Sequence, residues 1–369
     1  MLSSAAQDST LPYMSDSPTS QTGILLVNLG SPTSPEPRPV AKYLREFLSD
    51  PSVIDIPGPL RWALVNLIIA PTRSAKSAAA YKKVWTPKGS PLIVNSFATR
   101  DALAERLNRH PLDIGMRYGK PSIAAALERL KTRGCKRIVC LPLYPHIAES
   151  STGTAIRAVH AAAEEQGGLE IVMLPEYFDH PAWIEAMRVT AAPQLESVAP
   201  DHTLFSFHGL PERHIKKADS CGTCLASPTC CDTMTETNKR CYKAQCLHSA
   251  RTLASELKLA EGSWSVSFQS RLGRTPWIEP NTEEVFVELA KSGVRKLAVL
   301  TPGFSADCLE TLEELHIRGV EIFTEAGGED LYVVPCLNAE PAWIEALASI
   351  LEPHLSEQST EAAPASSTA

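Results

Sequence analysis

Short apolar runs alternate with amphipathic stretches from about residue 23 to residue 350. Gly23–Asn28 (GILLVN) reads as a buried strand, and Arg38–Leu48 as the helix that follows it. Further strands are expected at Ile93–Asn95, Leu112–Met116, Arg137–Leu141 and Ile171–Leu174, separated by helical patterns at 97–108, 121–133 and 151–166. The second half repeats the rhythm, with strands at Thr203–Phe207, Ser263–Phe268, Lys296–Leu300 and Tyr332–Val334 and helices near 235–258, 281–291 and 308–316. Strands that are apolar throughout and alternate with helices belong to a parallel sheet covered on both faces, so the fold class is α/β.

Two similar halves are expected. Gly134-Cys-Lys-Arg-Ile-Val-Cys-Leu-Pro matches the pattern of Gly293-Val-Arg-Lys-Leu-Ala-Val-Leu-Thr-Pro, each reading as a helix-ending glycine, two basic residues and a buried strand. The division is a leader at 1–22, domains at 23–190 and 191–353, and a low-complexity tail at 354–369, with the boundary where prolines and small residues interrupt the pattern near Ala191–Pro200.

Composition narrows the function. Thirty-five Lys and Arg against 42 Asp and Glu leave a formal charge of −7, which argues against a nucleic-acid binder. No window reaches the roughly 18 consecutive apolar residues of a spanning helix. The N-terminal stretch lacks a basic and an apolar signal region, which points to a cytoplasmic protein with reduced thiols. Six of the ten cysteines crowd into an insertion at 219–246, spaced C-x₂-C-x₅-C-C-x₉-C-x₄-C from Cys221 through Cys224, Cys230, Cys231 and Cys241 to Cys246. Thiolates so close together point to zinc or an iron–sulfur cluster.

Ligands of parallel sheets bind outside the carboxyl ends of the strands, and the loops there are rich in His, Arg and Tyr. Neither G-x-G-x-x-G nor a P-loop accompanies them, so a nucleotide is not indicated. His208 ends a strand, where an imidazole can collect a proton or ligate a metal. Asp307, Glu310 and Glu314 stand i, i+3, i+7, so a helix would carry them on one face, with Leu309, Leu312 and Leu315 on its core side. A carboxylate row leading to a histidine suits a divalent cation.

The segments LVNLGSP (26–32), GMRYG (115–119), LYPH (143–146), SFHGLP (206–211), FQSRLGRTPW (268–277) and TPGFSADCLETLEE (301–314) resemble ferrochelatase, in the family's order from about 23 to 345. The resemblance is to the bacterial type, with an internal cysteine-rich insertion. It implies a lyase that inserts Fe²⁺ into protoporphyrin IX to give protohaem, and the class II chelatase fold of two Rossmann-like domains, each a parallel sheet flanked by helices. Coproporphyrin as the substrate, or a non-catalytic tetrapyrrole carrier or iron–sulfur sensor, are the other readings. By motif position, His208 is similar to the family's active-site histidine and Glu310 to its paired glutamate, with Asp307 and Glu314 as neighbouring acids on the iron path. Asn28, Ser31, Pro32, Arg117, Tyr118 and Tyr144 match positions that line the porphyrin cleft. Which of His208 and the acids handles protons and which handles metal stays open.

The resemblance also bears on two segments outside the cleft. Leu60–Ala70, within a lip at 57–71, is either a buried helix or an apolar rim touching a membrane peripherally, as in relatives. Some ferrochelatases carry a [2Fe–2S] cluster, and Cys221–Cys230 looks like the cysteine-rich tail of the animal enzymes. Here the motif is internal, and Glu149 stands where those enzymes have their remote fourth cysteine. Four of Cys221, Cys224, Cys230, Cys231 and Cys241 are then the expected ligands of a [2Fe–2S] cluster, with zinc as the other option, and Cys246 packs in a helix.

Overall fold

A computed structural model describes residues 21–219, 222–227, 229–273 and 275–356. The expected leader, apart from Gln21 and Thr22, and the tail after Ser356 lie outside the described residues, as does Cys221. The first half runs β1 (Thr22–Asn28), α1 (Pro37–Leu48), α2 (Gly58–Ala63), α3 (Ala70–Val84), α4 (Pro91–Arg106), β2 (Leu112–Met116), α5 (Ile123–Thr132), β3 (Arg137–Pro142), α6 (Thr154–Gln166) and β4 (Glu170–Met173). Helix α7 (Pro181–Val198) leads to β5 (His202–His208), α8 (Glu212–Ala218), α9 (Tyr242–Glu256), β6 (Trp264–Gln269), α10 (Thr282–Lys291), β7 (Lys296–Leu300), α11 (Val320–Glu325), β8 (Asp330–Val333) and α12 (Pro341–Leu351).

Each half forms a four-stranded, all-parallel sheet of the same order, β2-β1-β3-β4 and β6-β5-β7-β8. The central strands are buried on both faces, as continuous apolar runs require. Helices cover them through amphipathic faces with local stop and start signals. Asn281 caps α10 by accepting from the N–H groups of Glu283 and Glu284. Gly134 and Gly293, both at positive φ, follow α5 and α10 and turn the chain into the third strand of each sheet, as the repeat predicts.

The structure exposes a second, closer repeat. Pro-Ala-Trp-Ile-Glu-Ala opens both α7 (181–186) and α12 (341–346), and these helices pack on each other. Trp183 and Trp343 are fully buried, and the Tyr177 ring lies 6.5 Å from the first and 5.8 Å from the second.

Three expectations are corrected. Ile93–Asn95 is not a strand but part of α4, where Leu92, Ser96, Thr99 and Leu103 are buried at helical spacing behind a first-turn proline. The helical pattern is not interrupted at Ala191–Val198: α7 runs through it, and Pro193 is tolerated on the exposed face. The helix expected from 235 starts at Tyr242, because Asn238 holds the preceding residues in a turn by accepting from the Thr235 N–H and donating to the carbonyls of Cys230 and Thr233.

Candidate active site

The first loop turns sharply after β1. Gly30, at φ +102°, lies so close to Tyr118 that a Cβ would fall 1.8 Å from the tyrosine carbonyl, so only glycine fits. Asn28 is buried, donates to Ser96 Oγ (3.0 Å) and accepts from the Leu29 N–H. Ser31 donates to Ser90 Oγ at 2.7 Å, and Pro32 is buried beside it. These three set the shape of the loop and offer little free polarity.

Arg117 and Tyr118 are tied down by a residue the sequence reading missed. The Asp50 carboxylate accepts from Arg117 Nη2 (2.5 Å), the Tyr118 hydroxyl (3.0 Å), Thr154 Oγ1 and the Ser52 N–H. Burial alone would raise the Asp50 carboxyl, but these hydrogen bonds, led by Thr154, and the arginine charge hold it below its ordinary value. Tyr144 stands alone: among the described residues its buried hydroxyl has no partner, which leaves a donor for a bound molecule.

His208, at the mouth of β5, is partly exposed and packs its ring 6.5 Å from Phe304. Its Nδ1 lies 2.6 Å from the Gly209 carbonyl. A carbonyl only accepts, so Nδ1 carries a proton, and in the neutral ring the lone pair is on Nε2. Gln269, register partner of His208 across β5 and β6, donates to the Glu310 carbonyl at 3.1 Å and accepts from Ser206. The histidine and the start of the acidic segment are thereby tied to one strand-end mouth.

The acidic row differs from a plain α-helical face. Glu310–Gly319 is a π-helix with i→i+5 bonds, a geometry frequent at functional sites. Asp307 precedes it, and both its oxygens are engaged, one by Thr311 (3.0 Å) and the other by Asn338 Nδ2 (2.7 Å), so it braces the loop. Glu313 turns to Lys83 at 3.0 Å. Glu310 stays close enough to Tyr43, Tyr81 and Glu314 for its charge to raise each of them. Glu314 accepts from Ser270 Oγ at 2.5 Å, and burial, then Glu310, push its carboxyl up to about 7. Ser270 holds that bond from a left-handed backbone at φ +64°. Of the three leucines, Leu315 is buried and Leu309 and Leu312 are half-buried.

The lip is helical and only partly buried. Gly58–Ala63 is α-helical and Leu64–Ile69 π-helical; Val65 and Ile69 are buried, while Leu60, Trp62, Leu67 and Ile68 are each more than half exposed. No helix among the described residues is long and apolar enough to cross a membrane.

In the insertion, the thiols of Cys224 and Cys231 both contact the Cys241 sulfur, and Cys230 Sγ is 3.5 Å from Cys231 Sγ. Cys241 stands at the N-cap position of α9; the Cys231 thiol, then the Ala244 N–H and the Cys224 thiol, lower its pKa despite burial. Among the described residues no group of three or more His, Cys, Asp or Glu side chains is arranged to hold a metal ion. Cys246 is wholly buried in α9, as expected of a packing residue.

Two parallel sheets of the same order, flanked by helices, form the class II chelatase fold. The structure superposes on SirB, the sirohydrochlorin chelatase of Bacillus subtilis subspecies spizizenii in complex with cobalt, with a TM-score of 0.51 at 11% identity over 90% of this chain and 94% of that one. The ferrochelatase family model matches residues 21–355. Ferrochelatases of Azotobacter vinelandii and Ectopseudomonas mendocina are 49% and 48% identical, over 89% of this chain and 97% of theirs. That of Coxiella burnetii is 42% identical over 90% of this chain and 94% of its own. The chain belongs to the ferrochelatase family.

Proposed function

We propose that this chain inserts Fe²⁺ into protoporphyrin IX, releasing two protons and forming protohaem. The observation that carries the mechanism is the His208 imidazole at the strand mouth, held with Nδ1 donating to its own loop, so that Nε2 bears the lone pair of the neutral ring. The free-base macrocycle has two inner N–H protons that must leave as the metal enters, and Nε2 is the acceptor for them. Glu310 stabilises the imidazolium so formed, and Glu314, with its carboxyl near 7, passes protons on at neutral pH. Ferrous iron, as substrate, exchanges its waters for carboxylate oxygens of Glu310 and Glu314, with Asp307 bracing their approach. Asn28, Ser31 and Pro32 shape one wall of the porphyrin site; Arg117, Tyr118 and Tyr144 shape another, where the unpartnered Tyr144 hydroxyl is free to donate. Insertion of Zn²⁺ into the porphyrin, followed by fluorescence, tests the activity. His208→Asn is expected to lower kcat at least about a hundredfold with porphyrin binding retained; full turnover in that variant overturns the role.

The insertion is read as holding a [2Fe–2S] cluster, with Cys224, Cys230, Cys231 and Cys241 as candidate ligands and Cys221 outside the described residues. The all-sulfur donor set and the chain of contacts that links Cys224, Cys241, Cys231 and Cys230 support a thiophilic group. Such a cluster, when bound, would cross-link the loops of the insertion. Iron and acid-labile sulfide in equal amounts with visible absorption are expected; zinc instead, or no metal, overturns the assignment. The exposed lip is read as a peripheral membrane contact.

A further inference from the structure

Helix α9 touches both the thiols of the insertion and the strand end that bears the histidine. Its first residue, Tyr242, is buried and donates its hydroxyl to the main-chain carbonyl of His208 at 2.7 Å. Its cap is Cys241, the sulfur that Cys224 and Cys231 both contact. One turn on, Gln245 donates to the Lys239 carbonyl at 2.8 Å and accepts from the Ile147 N–H. Further along, the Arg251 guanidinium donates to the carbonyl of Cys231. The end of α9 is therefore set by how the cysteine segment packs.

At the other end of the link, the peptide joining His208 to Gly209 is gripped on both sides. Its oxygen accepts from Tyr242, and its N–H donates to the Gln269 carbonyl at 2.7 Å. The next carbonyl, of Gly209, fixes Nδ1 of the imidazole. Freeing one end of that peptide lets it rotate, and the imidazole's anchor rotates with it.

We propose that Tyr242 is a positioning residue, through which α9 makes the placement of the His208 imidazole depend on the packing of the thiol segment. The ring packs against His146, with centroids 6.3 Å apart, so Tyr242→Phe keeps the packing and deletes the hydroxyl, whose other contact is the Cys246 thiol of the same helix. The inference rests on His208 being the proton acceptor proposed above.

The test uses the full chain as purified. In Tyr242→Phe, kcat for Zn²⁺ insertion is expected to fall about five- to tenfold, the worth of the buried hydrogen bond to the His208 carbonyl, with the porphyrin KM and the far-ultraviolet circular dichroism unchanged. Independently of turnover, the imidazole signals of His208, recognised by their loss in His208→Asn, are expected to shift in Tyr242→Phe. Cys241→Ser and Cys224→Ser should each move the same signals when Tyr242 is present and leave them in place in the Tyr242→Phe background. Unmoved His208 signals in Tyr242→Phe, or equal movement by the cysteine variants in both backgrounds, overturn the proposal. A wild-type chain that inserts no metal overturns the proposed function instead, while the magnetic-resonance comparison still decides the link.

Discussion

Glu314 is a carboxyl whose location costs stability in a pH-dependent way. Burial and the neighbouring Glu310 raise it from an ordinary 4.5 to about 7. In the unfolded chain it ionises near 4.5, so between that pH and 7 the folded form keeps a proton the unfolded form has released. Its effect is therefore absent below about 4.5, and stability declines as the pH rises through 7. A displacement of this size corresponds to about 3 kcal/mol at most; the side chain is 23% exposed, and solvent screening reduces that to about 1–2 kcal/mol. Glu314→Gln is isosteric and neutral at every pH, and still accepts from Ser270. Urea unfolding of both proteins at pH 5 and pH 8.5 measures the difference. The Gln variant is expected to gain about 1–2 kcal/mol on the wild type from the lower to the higher pH, while its metal insertion slows at neutral pH. A stability gap that stays constant across the two pH values refutes the argument that the buried carboxyl is the source.

Two other perturbations follow from the geometry. Asp50→Asn removes the charge that holds Arg117, Tyr118 and Thr154, and is expected to cost about 2–3 kcal/mol in urea unfolding at pH 7. Because the Asp50 carboxyl is held below its ordinary 3.8, its contribution is present above that pH and lost as the pH falls below it, so the two proteins should converge on acidification. Trp62→Glu combined with Leu67→Glu places charge on the exposed lip; co-sedimentation with phosphatidylglycerol-containing vesicles should be lost, and insertion of Zn²⁺ into a water-soluble porphyrin should be unchanged.

Most of the scaffold was legible in the sequence because buried parallel strands are short apolar runs with glycine or proline at their ends. Leu112–Met116 and Lys296–Leu300 lie where the pattern places them. Ile93–Asn95 misled because three apolar residues carry no period, and the helix is visible only from the spacing of Leu92, Ser96, Thr99 and Leu103. At the site, His208 was legible from its place at a strand end. The acidic spacing was legible too, but the π-helix was not, since residue spacing alone does not distinguish i→i+4 from i→i+5 bonding; Asp307 lies just before the helix. Asp50 left no signal, since an aspartate after a helix before proline looks like an ordinary turn; its role comes from partners 67 and 104 positions away. Tyr242 was equally hidden, because its partner is a main-chain oxygen.

The two halves place equivalent backbone after their third strands: Glu149–Gly153 and Glu310–Gly319 are both π-helical. The earlier turn carries a single acid, neutralised by Arg157 at 2.8 Å, where the later one carries Glu310, Glu313 and Glu314. The chain thus contains its own blank. What the two segments share belongs to the scaffold, and the second adds a longer π-helix with three carboxylates to it.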